Sequence, residues 1–194
     1  GFDYYHKDDA RPKSVVEVSE YDGEDKLIIN CTQLDEGYSA KDKKRIWLEW
    51  CDFLVNNPDA FTELMFCTRM PQDLFDAVCA QRKLKKLYIK WGVYPDISKL
   101  ENLQELEYLH IGSGRSVSSL EPISRLVNLV ALSIENFQQI DDYTPLANLK
   151  HLESLALEGD FAAPKILKVQ SLRFLRHMKQ LRFFRSEEHT SELQ

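Results

Sequence analysis

The sequence predicts an α/β fold: a right-handed solenoid of short repeats with a parallel sheet on its concave side, preceded by a β-hairpin and a capping helix. Three observations predict it. A six-residue apolar motif recurs about every 23 residues from position 61 onward. Two further apolar columns precede most copies of that motif. The first 58 residues lack the repeat but carry strand and helix patterns of their own.

The N-terminal part is predicted to begin with an irregular segment and a hairpin. Residues 1–14 are polar, contain Pro12 and show no periodicity. Two runs rich in β-forming residues, 15–20 and 26–31, then flank the pair Asp22-Gly23. Such a pair between two strand-like runs is typical of a tight hairpin turn.

A helix is predicted next, because Ser39 can cap its N-terminus and Asp42 stands at the third helical position. Four apolar residues then fall on one helical face: Ile46, Trp50, Phe53 and Leu54. The sequence Asn-Asn-Pro at 56–58 ends the helix. We expect the unit 15–58 to cover the exposed edge of the first repeat.

The repeats are predicted over residues 59–184. The motif Φ-x-x-Φ-x-Φ, in which Φ is apolar, occupies six segments: 61–66, 84–89, 106–111, 129–134, 152–157 and 178–183. All eighteen Φ positions are apolar, and chance would give this with a probability of roughly 10⁻⁷ for one fixed register. The two preceding columns hold Leu100, Ile123, Leu146 and Leu172, and then Leu103, Leu126, Leu149 and Leu175.

The segments 96–111, 121–134 and 144–157 resemble the leucine-rich-repeat family, in the short form of ~22 residues known from internalin-like proteins. The resemblance covers residues 61–184 and implies stacked repeats that present a sheet to a protein ligand. One departure concerns the asparagine that the family places after each strand. The corresponding positions here are Arg69, Gly92, Gly114, Phe137 and Asp160. The turns must therefore be held in another way.

Side chains of a strand alternate between its two faces, so the residues between the motif leucines are predicted to face a partner. The predicted partner-binding residues are Lys86, Tyr88, Lys90, Tyr108, His110, Ser133, Glu135, Ala156, Glu158 and Arg182. The proposed groove centres on Tyr88, Tyr108 and His110, with charges that orient the ligand. An ordinary solvated sheet face is the alternative. Trp91, Phe137 and Phe161 form either an aromatic rim or packing within the turns.

Other kinds of chemistry find little support. A formal charge of −6 argues against nucleic acid as the main partner, and the basic run 82–90 is interpreted as a solvated strand face. The four cysteines and five histidines show no zinc-ligand spacing, so neither a metal nor a cofactor is expected. No G-x-S-x-G or H-E-x-x-H motif occurs. No run is long and apolar enough for a membrane span.

The predicted function is therefore a non-catalytic module that binds a peptide or protein surface on the concave face. The alternative is a substrate-recruiting part of a larger enzyme whose catalytic domain lies outside this sequence. The compartment stays open between two interpretations. Cysteines without a pairing pattern favour the cytoplasm, and the internalin-like resemblance favours the cell surface or secretion.

Both ends of the sequence call for care. It starts at Gly1, and its last ten residues, 185–194, read RSEEHTSELQ. That string matches the translation of DNA resembling a common sequencing adapter. We therefore treat 185–194 as a non-native tail, leave it out of the fold prediction, and expect the repeat array to be truncated at its C-terminus.

Overall fold

The computed structural model describes residues 10–159 and 169–186. In that part of the chain the strands are β1 (Lys13–Val15), β2 (Lys26–Ile29), β3 (Glu63–Phe66), β4 (Met70–Pro71), β5 (Lys86–Ile89), β6 (Gly92–Val93), β7 (Tyr108–Ile111), β8 (Ala131–Glu135), β9 (Ser154–Glu158) and β10 (Phe183–Ser186). The helices are α1 (Ala40–Asn56), α2 (Gln72–Val78) and α3 (Glu121–Ser124), with 3₁₀ helices at Val18–Glu20, Ser98–Asn102, Thr144–Asn148 and Arg173–His177.

A parallel sheet runs along the molecule in chain order, β1-β2-β3-β5-β7-β8-β9-β10, and β4 pairs with β6 beside it. The central motif leucines of the first five repeats stand opposite one another in the register, and each is at most 1% exposed: Leu64, Leu87, Leu109, Leu132 and Leu155. This buried ladder confirms the predicted leucine-rich-repeat solenoid. Each repeat hides its apolar side against its neighbours, so stability comes from stacking.

The chain returns from one strand to the next through short helical turns on the other side of the core. Four of these turns are capped by a side chain that accepts a hydrogen bond from the backbone N–H two residues later. The caps, with their N–H···O distances, are Asp96 (2.9 Å), Ser119 (3.2 Å), Asp142 (2.9 Å) and Ser171 (3.1 Å). Asp and Ser favour such turns because their short side chains reach the following backbone. The hydroxyl and N–H of Ser98 lower the pKa of Asp96, and Thr144 does the same to Asp142.

Helix α1 forms as the sequence predicts. The Ser39 hydroxyl accepts from the Asp42 N–H at 3.1 Å, and the helix gives way to a C-cap at Asn57. Ile46, Trp50 and Leu54 are fully buried. The Trp50 indole also donates to the Val16 carbonyl at 2.8 Å, which ties the helix to the first strand connection.

The predicted hairpin at 15–31 is wrong. Strand β1 runs parallel to β2, with Lys13 opposite Leu27 and Val15 opposite Ile29. The second predicted run therefore forms a strand, but most of the first becomes a crossover. That crossover is stabilised by the Glu20 carboxylate, which accepts from the N–H groups of Val16 and Glu17 at 2.8 Å each.

Asp22-Gly23 does form a bend, with Gly23 at φ +89°, but it lies within the crossover and not between antiparallel strands. Strand β1 also includes residues 13 and 14, which the sequence analysis assigned to the irregular segment. Residues 1–9 lie outside the described part.

The sixth repeat is displaced by three residues from its predicted position. Phe184 stands opposite Leu155, where Leu181 was expected. The error has a physical cause. Apolar residues recur at every third position from 172 to 184, so the first two apolar positions of the motif fit two registers, and only the third, which is Ser186 in the observed register, favours the predicted one. The 3₁₀ helix Arg173–His177 decides between them, because β10 starts six residues after that helix ends, as β7 and β9 do after theirs. Strand β10 includes two residues of the segment interpreted as a tail, and 187–194 lie outside the described residues.

The turns after the strands are held without the family's asparagines. Phe137 is fully buried, and its ring fills the space above Gly114, where a Cβ atom would lie 2.0 Å from the ring. Backbone hydrogen bonds also join neighbouring repeats just after the strands. The Gly114 N–H donates to the Glu135 carbonyl at 3.1 Å, and the Asn136 N–H donates to the Glu158 carbonyl at 2.8 Å. Packing within the turn is thus the role of Phe137. Trp91 is half-buried, while the predicted positions Asp160 and Phe161 lie outside the described residues.

Candidate partner-binding face

The candidate site is the side of the sheet turned away from the leucine core, called here the outer face. It carries three rows of side chains that run across the strands. The first row is Glu63, Lys86, Tyr108, Ala131 and Ser154; the second is Met65, Tyr88, His110, Ser133 and Ala156; the third is Lys90, Gly112, Glu135 and Glu158. The rows follow from the parallel register, which brings residues 22 or 23 positions apart side by side.

Nine of the ten predicted partner-binding residues lie on the outer face, and Arg182 does not. Because β10 starts three residues later than predicted, Arg182 precedes the strand, and its N–H donates to the Glu153 carbonyl at 2.8 Å. Phe183 and Arg185 occupy the outer-face positions opposite Ser154 and Ala156.

Two aromatic contacts cross between β5 and β7. The ring of Tyr88 stacks on the imidazole of His110, with centroids 4.5 Å apart and planes inclined by 12°. The Lys86 ammonium lies 5.1 Å from the centroid of the Tyr108 ring. Stacking and cation–π attraction are each worth about 0.5–1.5 kcal/mol in partly exposed settings. They hold both tyrosines in defined orientations.

His110 contacts two side chains of the next strand, β8. The His110 Nδ1 atom is hydrogen-bonded to the Ser133 hydroxyl at 2.9 Å, and its Nε2 lies 3.9 Å from Glu135 Oε2. These groups have the composition of a serine–histidine–carboxylate triad. However, Ser133 is 3% exposed, and the carboxylate is beyond hydrogen-bond distance. The contacts instead fix the imidazole that supports Tyr88.

Accessibility changes along the face. The small residues over β8 and β9 lie deep, each at most 4% exposed: Ala131, Ser133, Ser154 and Ala156. Lys86, Tyr88 and Tyr108 are half-buried, and Lys90 is exposed. Accessible aromatic and basic groups therefore lie over β5 and β7, and Phe183 and Arg185 form a second such pair over β10.

Between β5 and β9 the charges of the outer face are separated by sign, whereas at both ends of the face a cation lies beside a carboxylate. Lys90 occupies the same row as Glu135 and Glu158, about 10 Å and 14 Å away at a strand spacing of ~4.8 Å. Glu158 is contacted by Arg185 at 3.5 Å. Lys26 lies 3.9 Å from the buried Glu63. Sequence reasoning missed Lys26 and Arg185, although the run K-L-I-I at 26–29 has the strand pattern that could have extended the rows.

A surface groove of about 470 Å³ borders the outer face where the strands begin. Its lining includes the residues just before β5, β7 and β9, namely Lys85, Glu107 and Glu153, together with Glu105 and His151. The groove carries three glutamates and one lysine, and it lies next to Tyr108.

The described residues hold no group of three or more His, Cys, Asp or Glu side chains arranged to bind a metal ion. Over the same residues, no helix combines the length and apolar character needed to cross a bilayer. All four cysteines are free thiols. Burial raises the pKa of both Cys31 and Cys51 to about 12.

The fold is similar to that of solved leucine-rich-repeat proteins. Internalin C2 from Listeria monocytogenes matches with a TM-score of 0.55 and 19% identity, over 83% of this chain and 70% of that one. A leucine-rich-repeat protein from Leptospira interrogans aligns with 87% of this chain and 62% of its own, at 12% identity and a TM-score of 0.29. No family model and no curated protein matches the sequence. The first likeness, at this low identity, shows the leucine-rich-repeat fold alone.

Proposed function

We propose that this leucine-rich-repeat chain is a non-catalytic binding module that takes a peptide or protein surface on the outer face of its sheet. The observation that carries the proposal is the pair Tyr88 and Tyr108, half-buried on adjacent strands and oriented by neighbouring side chains. In repeat solenoids the sheet lines the concave side, where extended surfaces bind partners.

Tyrosine suits such a role because it offers a large contact area and loses little conformational entropy on binding. Here the entropy loss is reduced further. Tyr88 is already stacked on His110, and Lys86 already lies over the ring of Tyr108. A ligand would meet a surface that needs little rearrangement, which favours affinity.

The separation of charge supports one orientation of the ligand. Lys86 and Lys90 lie beside the tyrosines, while Glu135 and Glu158 lie over β8 and β9. A segment with an acidic group over β5 and a basic group over β8 matches this pattern. Complementary charges of this kind guide association and exclude wrong partners more than they add affinity.

The test uses a random peptide library displayed on phage, with the whole chain immobilised as bait. Peptides that bind are then measured against Tyr88→Ala/Tyr108→Ala and against the matched control Leu48→Ala/Val127→Ala, whose positions are 41% and 48% exposed and lie off the outer face. We expect at least a ~10-fold loss of affinity for the tyrosine variant, as for truncated hot spots, and little change for the control.

Circular dichroism should show that both variants remain folded. Selected peptides that bind the tyrosine variant as tightly as the wild type would contradict the proposal. So would peptides whose affinity falls equally in the control.

A further inference from the structure

A second concave site lies at the N-terminal end of the molecule, away from the outer face. It is a pocket of about 390 Å³ between the segment after β2, the first turns of α1 and the segment around β4. Cavities of ~300–1,000 Å³ are typical of small-molecule sites. Its apolar wall includes Leu34, Trp47 and Pro71.

Three cations, Lys43, Lys44 and Arg69, also line this pocket, and no carboxylate does. In the described ranges 10–159 and 169–186, none of the three forms an ion pair. The next residue of α1 behaves differently: Arg45 lies within 3.7 Å of carboxylate oxygens of Glu17, Asp42 and Glu49. One side of the helix is thus neutralised by acidic neighbours, and the side that faces the pocket keeps its positive charge.

The pocket is also preformed, because its wall is fixed by side chains that bridge two segments. Gln33 has φ +55°, a left-handed conformation that is uncommon for a residue with a side chain. Its carboxamide oxygen accepts from the Arg69 N–H at 2.9 Å. The Thr32 hydroxyl donates to the Arg69 carbonyl at 2.5 Å. Unfavourable backbone conformations held in this way are concentrated at ligand sites.

We propose that this pocket binds a small amphipathic anion. Its apolar body, best a flat aromatic one, packs against Trp47, Leu34 and Pro71, and its anionic group lies among Lys43, Lys44 and Arg69. Because three cations and no carboxylate line the pocket, an anion is favoured over a neutral compound of the same shape. The inference is independent of the function proposed for the outer face.

The experiment is isothermal titration calorimetry of the full chain with 2-naphthoate and with its neutral analogue 2-naphthamide. We expect saturable binding at one site and about a 10-fold preference for the anion, since its anionic group can pair with the partly exposed cations of the pocket. In Lys43→Gln/Lys44→Gln/Arg69→Gln the preference should fall to within about 2-fold.

Two further variants keep the test decisive. Lys83→Gln/Lys150→Gln/Lys179→Gln makes the same change of net charge at exposed positions outside the pocket and should keep the preference. Ala40→Trp fills the pocket from an exposed position at the start of α1 and should weaken both compounds at least ~10-fold.

The proposal is overturned by the absence of saturable naphthoate binding, or by equal affinities for the two compounds in the wild type. It is also overturned if the matched lysine variant loses the preference as fully as the pocket variant, or if Ala40→Trp binds normally.

Discussion

Gly112 lies at a point where the backbones of two repeats come so close that a side chain has no room. A Cβ atom there would lie 1.9 Å from the Lys90 carbonyl oxygen, and the Tyr94 hydroxyl donates to the Gly112 carbonyl. We expect Gly112→Ala to lower the free energy of unfolding by ~2–3 kcal/mol, because backbone must shift to admit the methyl group.

Urea unfolding followed by circular dichroism measures this effect. The matched control is Gly37→Ala, where the nearest atom is the flexible Asp35 carboxylate at 3.0 Å, and its effect should stay below ~1 kcal/mol. Equal effects at the two glycines would contradict the close approach of the repeats.

The thiols of Cys31, which is buried, and Cys51, which is half-buried, make a second prediction. Burial raises the pKa of Cys31 and Cys51 to about 12, so at pH 8 the folded protein should react slowly with Ellman's reagent at these positions. In guanidinium chloride all four cysteines should react. Because the folded pKa exceeds the unfolded value of ~8.5, the thiols favour the folded state below that value. This contribution is lost as the pH rises toward 12. Rapid reaction of Cys31 in the native protein at pH 8 would contradict this.

At the scale of residues, alternation along the strands was enough to place Tyr88 and Tyr108 on the outer face. It could not reveal that the Ser133 hydroxyl bonds to His110, because the two residues lie 23 positions apart and meet only through the register. Nor could it show how deep Ser133 and Ala156 lie, since burial depends on the neighbours of both strands.

Among the elements, the short turns that return the chain to the sheet depend on their caps. The hydroxyl and backbone N–H of Thr144 lower the pKa of Asp142. A lowered folded pKa means that this stabilisation is present above the unfolded carboxyl pKa of ~3.9 and is lost as the pH falls through the folded value.

Asparagine keeps a hydrogen-bond acceptor but does not titrate. We therefore expect the thermal stability of Asp142→Asn to change less between pH 5 and 2 than that of the wild type. Thermal unfolding across that range measures the difference. The matched control Asp141→Asn, at the exposed neighbouring position, should follow the wild type. Identical pH profiles for Asp142→Asn and the wild type would exclude a capping role for the carboxylate.

Element boundaries were predictable where independent signals agree on one range, and not where a single spacing fits two alternatives. Helix α1 carries a cap, a face of apolar residues and a stop signal, and these agree on one range. In the sixth repeat the strand motif and the 3₁₀ turn share a spacing of three, so the sequence alone allowed two registers. The direction of β1 is decided by pairing with β2, a tertiary contact that the Asp22-Gly23 pair does not encode.

For the whole molecule, stability rests on the leucine ladder. Leu109 is fully buried between repeats on either side. We expect Leu109→Ala to lower the free energy of unfolding by ~2–5 kcal/mol, because it removes apolar contacts and leaves a cavity. The matched control Leu48→Ala, at a position 41% exposed, should change it by less than ~0.5 kcal/mol. Chemical denaturation distinguishes these outcomes, and a small effect at Leu109 would refute the stacked core.

The architecture could be predicted at this scale because the same apolar pattern occurs in every repeat. A strand misplaced in one repeat therefore does not change the predicted fold. The ligand could not be predicted, because no chemical group on the outer face defines one partner. Its tyrosines, lysines and carboxylates specify the size and flatness of the ligand surface and the order of charges along it. These properties describe a class of peptide or protein surface.

Site-specific photo-crosslinking tests the binding role of the outer face most directly. A benzoylphenylalanine is placed at Tyr108 on the outer face, or at Val127, which is 48% exposed and lies outside the three rows of the outer face. Each protein is then irradiated with a peptide selected from the display library. We predict that the label at position 108 captures the peptide and the label at 127 does not. Capture at 127 with none at 108 would show that the ligand binds elsewhere and would contradict the account.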